Sequence, residues 1–355
     1  MVGDQEIVEP VPSESSDPPE SKIANRNPKT GSPVRIGVVG LGNFGRLHAL
    51  TLAGLTESNL VALVDTRPER LRDVGQELSG IPSWSSLDDA LRGSDAEAWV
   101  VATPTESHVP LVERILSAGD SYVLVEKPLA DSLATARRLE PLTARNPNQI
   151  MLGHILLFAA EIRQLLLEIA QRGPLIYFHL VRHRPVDMWD YYRETPFRLL
   201  MVHDLYLALA MMNGEEPVGF SGRLHPRAGG GFDLARAELT WENGTWGFLT
   251  ASYLTPTGMG SDGFDRLEAF GQDWAARLRL NPQPLALWSD RAEWPLSLNV
   301  HADPPAPSGW LAEELRHFCR VVRAEAEPPL GARLKDAIRI QGWLEQLESS
   351  ARGSD

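Results

Sequence analysis

The sequence predicts an α/β protein in which a doubly wound parallel sheet is followed by an α+β region with an open, mostly antiparallel sheet. Three observations carry that expectation. Between Val34 and Gly153, short apolar runs alternate with amphipathic stretches, as strands do when helices carry the chain back across a parallel sheet. The first run ends in Gly40-Leu41-Gly42-Asn43-Phe44-Gly45, a turn that opens directly into a helical pattern. Beyond Met212, strands follow one another through turn signals such as Glu242-Asn243-Gly244 and Asp262-Gly263 with no helix between them, which reads as antiparallel pairing.

Taken in order, the strands of the first region are expected at Arg35–Val39, Leu60–Asp65, Ala98–Ala102, Tyr122–Val125 and Gln149–Leu152. Helices are expected to begin near Phe44, Pro68, Leu87, Ser107 and Ser132; Val109 to Leu116 shows the i, i+3, i+4 apolar spacing of a helix docked on a sheet. After Phe158 come a helix to about Ala170, a strand at Leu175–Val181, a polar aromatic loop, and a helix from about Phe197 to Met212. Strands then fall near Gly219–Leu224, Leu234–Trp241, Thr245–Tyr253, Arg266–Phe270, Ala275–Leu280 and Leu285–Trp288. Trp241 and Trp246 flank a hairpin turn and are expected to pack within the sheet. Helices near Trp310–Arg323 and Ala332–Ser349 close the chain.

This divides the 355 residues into a tail (1–33), a first domain (34–153) joined by the final helix (332–350), and a second domain (154–331). The tail is rich in Pro, Ser and acidic residues, buries too little apolar surface to offset its ordering entropy, and is expected to be disordered. It has neither a basic start nor an apolar stretch, so it does not read as a signal peptide. Lys and Arg number 34 against 47 Asp and Glu, a formal charge of -13 that argues against nucleic acid as a partner. With no apolar run near the ~20 residues a bilayer span needs, the expectation is a soluble, cytoplasmic protein acting on a small molecule. Cys319 is the sole cysteine, so neither an intrachain disulfide nor a cysteine-rich zinc site can form, and no metal is expected.

The glycine turn is the most specific chemical signal. Gly40 permits the tight turn, Gly42 lets the backbone approach a pyrophosphate, and Gly45 lets helix and strand pack closely, so that with Asn43 and Phe44 they leave free N–H groups and the helix dipole facing an anion. Asp65 ends the second strand, 20 residues after Gly45, at the offset of the acid that bonds the adenine ribose hydroxyls in a Rossmann domain. A carboxylate there accepts from a free 2′-OH and repels a 2′-phosphate, so NAD is favoured over NADP. Arg67 could offset that repulsion, or be a solvated charge at a helix start.

Three motifs in order, Gly40-Leu41-Gly42-Asn43-Phe44-Gly45-Arg46-Leu47-His48, Ala102-Thr103-Pro104-Thr105-Glu106-Ser107-His108 and Glu126-Lys127-Pro128-Leu129-Ala130, resemble the Gfo/Idh/MocA oxidoreductases, the group named for glucose-fructose oxidoreductase and inositol dehydrogenase. The resemblance runs from about Val34 to Ser350. It implies that Thr103, Pro104, Thr105 and His108 lie beside the cofactor, although His108 could equally cap or pack its helix. It also implies that Glu126, Lys127 and Pro128 present the lysine to nicotinamide and substrate, often through a cis Lys-Pro bond, and that the protein is a homo-oligomer, a dimer or tetramer.

In sugar-oxidising members of that family, Lys works with Asp and His from a segment Asp-x-Gly-x-His-x-x-Asp. The matching stretch here runs from Leu199 to Tyr206: His203 is kept, while Leu199, Met201 and Tyr206 replace the first carboxylate, the glycine and the last carboxylate. Leu157 stands where the family's Gly-His-x-x-Arg-Phe segment has its arginine. Lys127 and His203 are therefore the expected proton-transfer pair, since a lysine desolvated beside a cofactor can have its pKa lowered into the working range. Asp204, rotated away from His203, is expected to anchor its helix. Tyr206, Trp189 and Tyr191 are candidate substrate contacts, the last two from a loop spanning His183 to Arg193 that could instead meet another subunit. The reading favoured is hydride transfer between nicotinamide and a sugar, cyclitol or related polyol. The alternatives are an NAD(H)-binding regulatory or interaction protein without the carboxylate at Leu199, and an NAD-dependent glycosidase.

Overall fold

A computed structural model of the chain describes residues 31–259, 263–281, 287–288, 292–293, 300–302 and 306–353. Six short runs form the first sheet: β1 (Val34–Val39), β2 (Ser58–Val64), β3 (Ser83–Trp84), β4 (Ala98–Val101), β5 (Tyr122–Glu126) and β6 (Ile150–Gly153). Every pair is parallel and the order is β3-β2-β1-β4-β5-β6, the doubly wound order whose direction reverses between β1 and β4. Crossovers are made by α1 (Asn43–Gly54), α2 (Pro68–Glu77), α3 (Leu87–Gly93), α4 (Thr105–Ala118) and the short α5 (Leu133–Arg137). All four residues of β4 are buried, as a strand covered on both faces requires. The five expected strands are present, and the two-residue β3 joins them at the edge.

The second sheet comprises β7 (Leu175–Pro185), β8 (Gly219–Pro226), β9 (Phe232–Thr240), β10 (Trp246–Thr255), β11 (Phe264–Gly271) and β12 (Trp274–Asn281), ordered β12-β11-β7-β10-β9-β8. One central pair departs from the antiparallel expectation: β7 and β10 run parallel, with Leu180 opposite Leu249. Helix α6 (Ala160–Arg172) precedes β7. After it come α7 (Met188–Tyr192), a π-helical turn at Phe197–Met201, and α8 (Val202–Met211), which bring the chain back so that β8 starts in the direction of β7; two antiparallel steps, β8 to β9 and β9 to β10, then leave β10 parallel to β7. β7 also extends to Pro185, so His183 and Arg184 belong to a strand and not to the expected loop. Of the strand expected at Leu285–Trp288, only Leu287–Trp288 is described, paired with Ala292–Glu293; the rest, with most of the tail, lies outside the described residues.

Alternation along these strands sends Phe178, Leu180, Leu239, Leu249 and Leu267 into a core beneath α8, α9 (Gly309–Val322) and α10 (Leu334–Arg352). Cys319 of α9 is buried in that core. At the start of α10, Leu334, Ala337 and Ile338 pack with the first sheet's core, and Leu152 N donates to Ala332 O at 2.9 Å. Among the described residues, no helix covers the opposite face of the second sheet. There the two tryptophans of the β9–β10 turn part company: Trp241 is buried and donates to Glu215 O at 3.2 Å, whereas Trp246 is 53% exposed, so the expectation that both pack within the sheet is corrected. Trp246 sits outward because it shares the open face with Phe248 and Tyr177.

Candidate active site

A cleft of about 1870 Å³ lies where the carboxyl ends of the first sheet meet the second. Its outer arm begins at the glycine turn. A Cβ on Gly40, whose φ is +88°, would sit 2.5 Å from Ala102 O, and one on Gly45 would lie 1.8 Å from Gly40 O. Those two glycines are demanded by the fold. Gly42 is not: a Cβ there would meet nothing within 4 Å, so the space over it is empty protein surface facing the cleft. Helix α1 begins there with no side-chain cap and no acidic residue in its first turn, which leaves its N-terminus free for an anion. The chain's own residues therefore fit a dinucleotide pyrophosphate.

Asp65 closes that arm. Its Oδ2 accepts Leu41 N at 2.7 Å, and its Oδ1 accepts Arg67 N at 2.9 Å. The Arg67 guanidinium adds Nε to Oδ1 and Nη2 to Oδ2, both at 3.0 Å. Burial would raise this carboxyl, but those hydrogen bonds and the Arg67 charge outweigh it and hold it below the usual carboxylate range. Arg67 is thus tied to the carboxylate while its own side chain is half in solvent.

Thr103, Pro104 and Thr105 line the cleft at the end of β4. His108 does not. It is buried behind them, Nε2 at 2.7 Å from Thr103 O and Nδ1 at 2.9 Å from Pro128 O, and so clamps the β4 loop to the β5 loop. Burial lowers its pKa against those two carbonyls, so a neutral ring donates to only one of them.

At the end of β5, the Lys127–Pro128 bond is cis and Lys127 lines the inner cleft. Glu126 beneath it meets His48 Nε2 at 2.8 Å, and Gly153 makes room, since a Cβ there would lie 2.7 Å from Glu126 Oε1. Burial lowers the Lys127 pKa; Arg182 and Arg184 push the same way, and Glu126 and Glu194 oppose them.

His203 lines the cleft one residue into α8. Its Nδ1 lies 2.8 Å from the hydroxyl of Tyr206, which also accepts Leu156 N at 3.3 Å and stacks on His154 with centroids 4.1 Å apart. Burial holds the Tyr206 hydroxyl protonated, and with Leu156 N already donating to its oxygen, its hydrogen is available to His203 Nδ1. The proton of the neutral imidazole then sits on Nε2. Burial, joined by Lys127, Arg182 and Arg184, keeps His203 well below its ordinary pKa and therefore neutral. Tyr206 is placed behind the histidine and does not line the cleft, whereas Leu199 does, in the π-helical turn.

The inner floor is an ion network that periodicity alone did not single out. Arg182 donates to Asp204 at 2.9 Å and to Asp265 at 2.8 Å; Arg184 forks onto Asp265 at 2.6 and 2.9 Å; Asn281 adds a bond to Asp265 at 2.9 Å. Asp204 thereby ties α8 to β7, its pKa pushed up to about 6 by burial despite Arg182. A signal was present: Phe178, Leu180, Arg182 and Arg184 share one face of β7, so the core-facing stripe turns from apolar to charged at the cleft.

The aromatic segment splits. Tyr191 stands at the cleft mouth, 81% exposed, with Glu194 further in. Trp189 turns away to meet Tyr253, with the Arg227 guanidinium 5.9 Å above its ring.

Residues 34–154 match the model of an oxidoreductase family with an NAD-binding Rossmann fold. Over 224 residues, 62% of this chain and 67% of the relative, the chain is 31% identical to UDP-N-acetylglucosamine 3-dehydrogenase of Acidithiobacillus ferrooxidans. It is 27% identical to myo-inositol 2-dehydrogenase of Thermotoga maritima over 249 residues, 67% of this chain and 73% of that one. The fold matches that of scyllo-inositol dehydrogenase from Lactobacillus casei with a TM-score of 0.78 at 20% identity, over 91% of this chain and 97% of the other. With its glycine turn, its Lys127 loop and its second sheet arranged as described, the chain belongs to the Gfo/Idh/MocA family of NAD-binding oxidoreductases.

Proposed function

We propose that the protein is an NAD-dependent dehydrogenase or reductase that acts on a secondary hydroxyl of a sugar, cyclitol or related polyol. The observation that carries this reading is the convergence of Lys127 and a neutral, Tyr206-held His203 at the inner end of a cleft whose outer arm is shaped for a dinucleotide. The names of the sugar-nucleotide and cyclitol dehydrogenases among its relatives support the substrate class.

Bound nicotinamide would supply the hydride acceptor. Lys127, whose burial favours the free amine, takes the hydroxyl proton as the carbon becomes a carbonyl. His203 donates its Nε2 hydrogen to the same oxygen and holds it in place. Each such group is worth ~10²–10⁴ in rate, or roughly 3–5 kcal/mol of barrier. Lys127→Ala and His203→Ala should each lower turnover by that order while leaving NAD affinity intact. NADH formation across a panel of sugars and cyclitols tests the reading. Leu199 favours a second one, a cofactor-binding regulatory protein, which expects no turnover of any member of that panel.

Asp65 supports NAD over NADP. The open face of the second sheet, with Trp246 53% and Phe270 39% exposed beside Tyr177 and Phe248, supports pairing with a second copy of the chain. Light scattering at micromolar concentration, with Trp246→Glu as the disrupting variant, tests that assembly. No described helix is long and apolar enough to cross a membrane, and we place the enzyme in the cytoplasm.

A further inference from the structure

Glu194 has no counterpart in the motifs above. It lies between α7 and the π-helical turn, partly buried, and lines the inner cleft together with Lys127 and His203. Its backbone is fixed from both sides. Arg193 before it adopts a left-handed conformation, φ +51°, uncommon for a residue with a side chain, and Glu194 O accepts the Tyr253 hydroxyl at 3.1 Å.

Its carboxylate makes no hydrogen bond or ion pair among the described residues. A half-buried carboxylate that lines a cleft beside an amine and has no such bond is placed to meet a ligand or a proton there. Burial raises its pKa; of the charges around it, Lys127 and Arg198 oppose that rise, and Glu106 and Glu348 reinforce it. Arg198 is already committed to Glu348 through bonds of 2.6 and 2.7 Å, which leaves Lys127 as the uncommitted cation. Lys127 in turn faces Glu126, Arg182, Glu194 and Arg184, with His203 and His154 beside it. Glu126 is spent on His48, and both arginines on Asp204 and Asp265.

We propose that Glu194 is the charge partner of Lys127, a carboxylate that the loop brings to the cleft opposite the apolar Leu199. The inference rests on the dehydrogenase reading. When the substrate C–H bond gives its electron pair as hydride to NAD⁺ and the O–H proton passes to the Lys127 amine, Glu194 neutralises the resulting ammonium. It then takes that proton and releases it toward the cleft mouth. Leu199 leaves the helix side of the cleft apolar, so without Glu194 the new ammonium would face only Glu126, already held by His48, and Arg182 and Arg184, already paired with Asp204 and Asp265.

Lysine occurs only at Lys22, Lys29, Lys127 and Lys335, so the Lys127 side chain can be followed individually by carbon-13 NMR of lysine-labelled protein without cofactor. Glu194→Gln should lower its titration midpoint by on the order of half a pH unit or more, with Lys335 unmoved. The same change should lower kcat ~10–10²-fold, move the pH profile with the midpoint, and leave NAD affinity intact, while Glu194→Asp should recover part of both effects. An unchanged Lys127 midpoint, or a midpoint that moves with kcat unaffected, overturns the proposal. A midpoint that moves in a protein whose wild type turns over no polyol sustains the pairing and fails the substrate reading instead.

Discussion

The Tyr206 hydroxyl lies 2.8 Å from Nδ1 of His203, at the position where sugar-oxidising relatives are expected to carry a carboxylate. A carboxylate behind an imidazole accepts its Nδ1–H and favours the imidazolium; a tyrosine donates to Nδ1 and favours the neutral ring with hydrogen on Nε2. Where the resemblance would place a base, this chain carries a group able to donate.

Tyr206→Phe tests that exchange. It removes the bond, leaves Nδ1 facing phenyl, and frees the ring to adopt the other tautomer, so kcat should fall ~10–10²-fold with NAD binding unchanged. Turnover indifferent to the loss would mean that His203 needs no orienting group.

The first sheet was readable because β-branched runs bounded by turn residues are local signals, and the two-residue β3 was not because Ser83–Trp84 is too short to show a period. The parallel pairing of β7 with β10 was hidden for a different reason: which strands become neighbours is a long-range choice, and periodicity looks the same in either direction. The glycine turn, Asp65 and Lys127 were legible as local motifs. Glu194 was not, since its place in the cleft follows from the Arg193 conformation and the Tyr253 bond, neither of which a motif encodes.

Cofactor binding separates from folding at Gly42. With nothing within 4 Å of a Cβ there and an ordinary backbone, Gly42→Val should leave the thermal melt unchanged while abolishing calorimetric binding of NAD and NADP alike. In the unaltered protein NAD should bind at least about tenfold more tightly than NADP, because Asp65 meets the 2′ position. Equal affinities would show that Arg67 swings from Asp65 to a 2′-phosphate.

His154 sets a pH limit on stability. Burial brings its pKa from 6.5 down to about 4 in the folded chain, so below about pH 6.5 the unfolded chain binds a proton that the folded one refuses. Stability is fully present above pH 6.5 and is lost as pH falls toward 4, by roughly 3 kcal/mol at about 1.4 kcal/mol per unit. Asp204, raised to about 6, acts with the opposite sign and gains stability as pH falls below 6. The His154 contribution must therefore be read by difference. Melts of His154→Gln against wild type between pH 7 and 4 should show a shallower decline in the variant, and parallel declines would count against the buried neutral ring.

If Tyr206 does for His203 what a carboxylate at Leu199 would do, the two should substitute for each other in orienting the ring. Leu199 precedes His203 by four residues and lines the cleft, so an aspartate there stays partly solvated and should cost little stability. While Tyr206 occupies Nδ1, Leu199→Asp has no hydrogen to accept, and kcat on a turned-over polyol should change less than about threefold. Once Tyr206→Phe has freed Nδ1, the same aspartate can take the Nδ1–H, restore a fixed ring and make His203 more basic. The double variant should then recover most of the activity that Tyr206→Phe loses, and its rate should fall toward higher pH as the imidazolium formed beside the new carboxylate loses the Nε2 hydrogen that His203 donates. Two groups sharing one task give a coupling that departs from additivity by about 1 kcal/mol or more, whereas independent groups add. A double variant whose loss is merely the product of the two single effects would show that Tyr206 has not taken over the role of the carboxylate.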